Sequence, residues 1–280
     1  MPSFAFPTGK NQSLKAALSA LGFDMGEAPH AVFQARSGQC SVTLYQSGKL
    51  LIQGRGSEEC LDQLFAKGLL APPEPTAGCW LGVDESGKGD LFGPLVIAGV
   101  GLTAELTSLI YESGARDSKE LSDSKIRELA GFIRQTLPHE IVVILPEKYN
   151  QLYASFNNLN RLLAWGHGKV FENLCGKCEP ELAVFDQFAD RKLLDGVLAK
   201  KGKKVEIIQR TKGESDLAVA CASILARAEF VRRIYQLSDK CGIKLPLGGG
   251  DQAKRVAKQI IASKGREYFA TLAKAHFKID

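Results

Sequence analysis

Leu81-Gly-Val-Asp-Glu-Ser-Gly-Lys-Gly-Asp-Leu-Phe-Gly-Pro-Leu-Val-Ile-Ala-Gly-Val100 is the stretch on which the fold turns. Its first half nearly spells a phosphate-cradling P-loop, which would make the chain a nucleoside triphosphatase. Three features argue against that. Gly89 stands where a Ser or Thr hydroxyl should bind magnesium, Asp84 and Glu85 would bring negative charge into a loop meant for phosphates, and Pro94 to Val100 is β-rich rather than helical. The segment reads instead as strand, glycine turn, strand, with two adjacent carboxylates closing the first strand. Successive strand residues point to opposite faces, so Asp84 and Glu85 are expected to converge only where the chain is already leaving the strand, at Gly87 and Gly89. Two carboxylates this close are costly unless neutralised. A hard divalent cation with oxygen ligands is the usual means, and a solvated acidic turn is the bland alternative.

Outward from this stretch, strands at 80–83, 94–102, 140–145, 182–185 and 205–209 alternate with helices at 122–136, 157–174 and 189–199. Long helices follow at 216–238 and 251–262, the first placing Leu217, Cys221, Ile224, Leu225, Ala228, Val231 and Tyr235 near one face. The alternation predicts an α/β fold, a sheet covered by helices. Towards the N-terminus, residues 71–78 (APPEPTAG) hold three of the eleven prolines beside small residues, the composition of a stiffened linker. Before it come a helix at 13–21, short strands at 31–36, 41–46 and 50–53 joined by Ser-Gly turns, and a helix at 58–67. The chain is therefore divided into a small α+β domain (1–70), a linker (71–78) and a larger α/β domain (79–280).

The 280 residues are 45% apolar, with 36 Lys+Arg against 31 Asp+Glu, which suits a globular chain and excludes disordered and collagen-like classes. Six basic residues balance six acidic ones before residue 78, so the whole excess of +5 lies after it. No apolar run approaches the roughly 18 to 20 residues of a membrane helix. The first residues lack the features of a signal or transit peptide, so a cytoplasmic protein with no membrane association is expected. Seven cysteines are an odd number in a chain too large to need staples, and reduced thiols are expected. Cys175-Gly-Lys-Cys178 has no second ligand pair at zinc spacing and reads as an ordinary turn.

Two further carboxylates strengthen the cation reading. Leu182-Ala-Val-Phe185 is a short apolar strand ending in Asp186, at the C-terminal edge where α/β sheets commonly place their sites. Glu214 stands just before a long helix, as a ligand or as a helix-start carboxylate. Gly87-Lys88-Gly89 offers backbone N–H groups and one cation at close approach, and Asp117-Ser118-Lys119 offers a hydroxyl and an ammonium. Both sets suit a phosphodiester backbone. The basic run at 200–204 is more simply a solvated turn.

Gly82 to Leu95 closely resembles the signature of type 2 ribonucleases H, in the form carried by ribonuclease HIII. Asp117-Ser-Lys-Glu-Leu121, Lys148-Tyr-Asn150, Leu163-Ala-Trp-Gly-His167, Phe185-Asp-Gln-Phe188, Ala218 to Arg227, Leu245-Pro246 and His276-Phe-Lys278 follow in the family's order, covering residues 78 to 280. The resemblance implies a ribonuclease H-like mixed sheet flanked by helices, and cleavage of the RNA strand of RNA/DNA hybrids with Mg2+ or Mn2+ to leave 5′-phosphate and 3′-hydroxyl ends. It also implies four carboxylates holding two divalent ions: Asp84 and Asp186 bridging, Glu85 and Glu214 each serving one ion or its water. Lys88 and Glu214 match the HIII form rather than the sister HII form. The expected substrate contacts are Gly87, Lys88, Gly89, Ser118 and Lys119, and a monomer with no obligate protein partner is the default expectation. Residues 1–70 are similar in layout to one repeat of the TATA-box-binding protein fold and are expected to bind substrate. Leu91 departs from the aromatic residue of many relatives, so stacking there is lost. The competing readings are HII-like cleavage at single ribonucleotides embedded in DNA, and a non-catalytic hybrid-binding module.

Overall fold

The structure is a computed structural model that describes residues 3–6, 8–38, 40–67, 69–70, 78–115, 118, 121–186, 205–210 and 216–279. The chain forms two compact units, Met1–Glu74 and Pro75–Asp280. In the first, β1 (Ser3–Ala5) leads through a 3-10 turn to α1 (Asn11–Ala20), followed by β2 (Asp24–Gly26), β3 (Ala31–Ser37), β4 (Cys40–Tyr45), β5 (Lys49–Gly54) and α2 (Ser57–Ala66). The strands pair antiparallel in the order β1-β5-β4-β3-β2. Leu14, Leu18, Val42, Leu50, Ile52 and Leu64 are fully buried between sheet and helices. The sequence pattern misses β1 and β2, because three residues are too few to show an alternation.

The second unit begins with the hairpin β6 (Cys79–Ser86) and β7 (Leu95–Thr103), then α3 (Ala104–Glu112), α4 (Asp123–Thr136), β8 (His139–Ile144), α5 (Pro146–Phe156) and α6 (Leu159–Cys175). After these come β9 (Leu182–Asp186), β10 (Glu206–Arg210), α7 (Leu217–Cys241) and α8 (Asp251–Ala270). The sheet order is β10-β9-β6-β7-β8, with β9 parallel to both β6 and β10 and the pairs β6-β7 and β7-β8 antiparallel. This is the mixed, helix-flanked sheet of the ribonuclease H-like fold. The helix expected at 189–199 and the basic run at 200–204 lie outside the described residues.

Helices cover both faces of the centre. Leu95 to Leu102 are all buried, which explains a continuous apolar run where a half-solvated strand would alternate. Even-numbered β6 and β7 residues such as Trp80, Val96 and Ala98 join the core under α4 and α7, while Leu81, Val83, Leu95 and Ile97 join the core under α6. Close approach on both sides requires glycine. A Cβ on Gly82 would fall 2.1 Å from backbone atoms of Ala218 and Val219, and one on Gly166 would fall 2.1 Å from the Ile97 Cδ1. The first turn of α7 is fixed by Asp216, whose carboxylate accepts from the Ala218 and Val219 N–H groups and from the Trp80 indole. The one-sided pattern expected for α7 is corrected. Residues 217 to 226 are buried all round, whereas Tyr235 is 54% exposed, because a 25-residue helix about 37 Å long outruns the short strands beneath it.

Candidate active site

β6 does not release the chain before its carboxylates. Asp84 pairs with Ala98 and Glu85 with Ile97, and the ladder runs on to Ser86. The two side chains therefore leave opposite faces of the sheet, yet both line one cleft, because the strand ends at Gly87 and the cleft wraps around that end. The expected convergence by leaving the strand is replaced by convergence around its tip.

Each carboxylate is held from its own side. Asp84 accepts the Glu85 backbone N–H at 2.7 Å and a hydrogen bond from Ser223 on α7, and Ser223 is in turn 2.8 Å from Ser118. Burial, with the charges of Glu85 and Asp186 beside it, pushes the Asp84 carboxyl well above its ordinary range. Glu85 turns toward α6, where Oε2 lies 3.0 Å from the Nε2 of the fully buried His167, and Oε1 lies 2.7 Å from the Lys88 ammonium. A carboxylate only accepts, so the imidazole presents its N–H there. Burial alone would raise Glu85, but the hydrogen bonds and charges of His167 and Lys88 prevail and hold it below the usual carboxylate value. Asp186 closes β9, one step beyond the registered pair Val83 and Phe185, on the strand parallel to β6.

The glycine turn is fixed from below by distant segments. Gly87 has φ +90°, and a Cβ there would meet the Pro94 carbonyl at 2.3 Å, so glycine is required. At Gly89 a Cβ would meet nothing within 4 Å, and its bare backbone borders the cleft. Asp90 accepts from Gly248 N at 2.6 Å, and the fully buried Lys274 ammonium donates to the carbonyls of Asp90 and Gly93 at 2.8 and 2.9 Å, with Phe92 O at 3.5 Å. Phe92 pairs with Ala273, and Asn150 binds the backbone of Ala270, Ala273 and Ala275. Leu91 is 1% exposed and packs in the core, so it offers no surface for stacking.

The cleft has a volume of about 520 Å3 and is lined by Asp84 to Gly89, Ser118, Leu121, Asp123, Ile126, Asp186, Ser223 and Arg227. It gathers Asp84, Glu85, Asp186, Gly87, Lys88, Gly89 and Ser118 from the sequence reading. Glu214, Asp117 and Lys119 lie outside the described residues. Sequence reasoning did not single out Ser223, His167 or Lys274 for roles at the site. A histidine amid the apolar residues of α6 was a usable signal, whereas a buried lysine has none, since lysine is ordinarily exposed.

The donor set suits a hard divalent cation. Among the described residues the metal-binding side chains that line the cleft are carboxylates and hydroxyls, with no thiol or imidazole, and the raised Asp84 reflects negative charge in want of a counter-charge. Among the described residues no three acidic, His or Cys side chains form a finished cage.

A mixed sheet that brings carboxylates from two adjacent parallel strands to one cleft is the arrangement the resemblance to the ribonuclease H class implies. Residues 81–279 match the family described as Ribonuclease HII, and residues 11–67 match "Domain of unknown function (DUF3378)". The chain belongs to the ribonuclease HII family, in its ribonuclease HIII branch. Ribonuclease HIII of Chlamydia pneumoniae is 42% identical over 97% of this chain and 94% of that protein, and the Chlamydia abortus protein of the same name is 41% identical over 95% and 91%. Among solved structures, Bst-RNase HIII in complex with Mn2+ superposes with a TM-score of 0.71 at 28% identity, covering 99% of this chain and 96% of the other. Aquifex aeolicus RNase H3 gives 0.61 at 28% identity over 99% and 100%.

Proposed function

We propose that the chain, an RNA-hydrolysing endonuclease by family, cuts the RNA strand of RNA/DNA hybrids at this cleft and leaves 5′-phosphate and 3′-hydroxyl ends. The observation that carries the reading is the placement of Asp84 and Glu85 on β6 with Asp186 on the adjacent parallel strand, all facing one cleft beside a glycine-rich backbone. Asp84, Glu85, Asp186 and Glu214 would hold the metal. Two divalent ions, Mg2+ or Mn2+, supply an activated water and counter-charge for the scissile phosphate. The Mn2+ complex of the Bst-RNase HIII neighbour supports this choice. Ser223 and His167 keep Asp84 and Glu85 aimed from opposite layers, which fixes the ligand geometry without reorganisation. The backbone of Gly87, Lys88 and Gly89 reads the ribose 2′-hydroxyl, the group that separates RNA from DNA. Ser118, Lys119 and the Lys88 ammonium contact phosphates, and residues 1–70 add a second binding unit.

End-labelled strands on a denaturing gel test this. A continuous RNA/DNA hybrid is cut in Mg2+ or Mn2+ and not in EDTA, and Asp186→Asn abolishes cutting while hybrid binding persists. Preferred cutting at a lone ribonucleotide within duplex DNA moves the chain to HII-like specificity. Absence of cutting in either metal, or turnover retained by Asp186→Asn, refutes the proposal.

A further inference from the structure

A second groove, of about 260 Å3, lies between α4 and α7 beside the carboxylate cleft. Asp123 and Ile126 line both, so the two spaces adjoin. Further along, the walls carry Arg127 and Arg134 from α4 and Arg232 from α7. From Asp123 to Arg134 the helix advances about 16 Å, room for several phosphates of one strand.

The arginines are organised around a single carboxylate. Glu229, 7% exposed, accepts Nε and Nη2 of Arg232 at 2.9 and 2.6 Å and Nε of Arg233 at 2.8 Å, and stands 3.6 Å from Nη2 of Arg134. Three guanidiniums on one glutamate leave two positive charges uncompensated at that point. Each guanidinium carries five N–H donors, so most of theirs remain off Glu229. One arginine would suffice to bridge the two helices. Holding two more against mutual repulsion is the arrangement an incoming phosphate needs, with planar donors already oriented by a buried anchor. Asp123 and Asp239 at the groove's ends oppose this charge. Counting them with Glu229, three carboxylates face the four arginines 127, 134, 232 and 233, and the excess is centred on Glu229.

We propose that this groove carries the phosphodiester backbone of the nucleic acid onward from the cleft, with Arg127, Arg134 and Arg232 as its phosphate contacts. The proposal rests on the hybrid-cleavage reading and extends it to a surface outside the cleft. Contacts of this kind position the substrate and carry no sequence information. They release counterions, so each contributes just under one unit to the slope of log affinity against log salt.

The test is fluorescence anisotropy of a labelled RNA/DNA hybrid in EDTA, between 50 and 200 mM salt, for the parent, Arg127→Gln, Arg134→Gln, Arg232→Gln and the Arg134→Gln/Arg232→Gln pair. Each single substitution is expected to flatten the slope by about 0.9 and the pair by about 1.8, with binding weakened several-fold. A purely structural role for Arg134 and Arg232 lowers the melting temperature and leaves the slope at the parental value. Among the described residues the hydrogen bond given by the Arg127 side chain is to the Asp123 carbonyl of its own helix, so a flattened slope there does not come from breaking a contact between helices. Parental slopes in Arg127→Gln and in the pair overturn the proposal while the parent still cuts hybrids. A parent that cuts no hybrid overturns the cleavage reading, and this inference with it.

Discussion

Alanine at Gly82 is the sharpest perturbation the structure offers, because it strikes fold and site together. The added Cβ falls 2.1 Å from Ala218 C and Val219 N, where contacts under 3.0 Å are essentially never seen. Both obstacles are backbone in the first turn of α7, fixed by the Asp216 cap, so nothing can rotate aside. β6 and α7 must part by about 1 Å. Overpacking a rigid core costs about 1–3 kcal/mol, and the upper end applies where backbone has to move. At about 2–4 °C per kcal/mol for a domain of this size, the melting temperature falls by about 6–12 °C. Gly82 lies two residues before Asp84, and α7 carries the Ser223 that bonds it, so the same separation opens that hydrogen bond. A 1 Å misplacement lowers turnover about 100-fold. Thermal melting followed by circular dichroism and the rate of hybrid cleavage read the two effects. Gly131→Ala on α4 is the control with the opposite sign: its Cβ meets nothing within 4 Å, and removing a helix-interior glycine stabilises by about 0.5–1 kcal/mol. Gly82→Ala melting within 2 °C of the parent and cutting at the parental rate would refute the reasoning.

Lys274→Met strips three loop carbonyls of their donor, a loss of about 2–4 kcal/mol after the relief of burying a charge, seen as a drop of about 5 °C or more in melting temperature. It also carries a pH signature. Burial lowers Lys274 from 10.5 to about 7 despite the pull of Asp90, so the unfolded chain binds the extra proton between those values and parental stability climbs with pH across that window. The variant lacks the climb, and parallel denaturation curves from pH 7 to 10 contradict the assignment. Glu229 has the opposite sign. Burial raises its carboxyl, but hydrogen bonds from Arg232 and Arg233 outweigh this and hold it low, so its contribution is complete above the ordinary value of 4.5 and lost as pH falls through the folded one. Glu229→Gln therefore loses about 1–2 kcal/mol near pH 7 and flattens the acid limb of a stability profile, and an unchanged limb speaks against the network. His167→Leu keeps the packing but frees Glu85, and activity or apparent Mg2+ affinity in titrated cleavage assays falls about 10–100-fold, a parental titration counting against the role.

Much of the α/β layout is legible in the sequence because its signals are local. The strand expected at 94–102 is β7, and the helices expected at 122–136 and 157–174 are α4 and α6, which Ser122 and Asn158 cap. α3 and α5 escape notice. The first follows β7 without a break, and the second starts on Pro146 with polar residues spread around it. The limit of β6 was misjudged because pairing with β7, a tertiary effect, carries the ladder through two acidic residues that disfavour strands. At the site, Asp84, Glu85 and Asp186 stand out by residue type and strand position. Their supports do not. Ser223 reads as one more small residue of a buried helix, and Lys274 meets Gly93 of the glycine turn 181 residues away in sequence, a proximity no periodicity encodes.

Asp84 and Glu85 are neighbours in the chain that depend on different halves of the protein. One is steadied by α7 through Ser223, the other by α6 through His167, and the sheet lies between. The two acids are therefore aligned only while both helical layers are docked. A chain with either layer detached still owns every carboxylate, but has lost their common aim. On the proposed role of these two acids in cleavage, the architecture acts as a check on folding: the chemistry belongs to the docked fold and is withheld where either layer is detached.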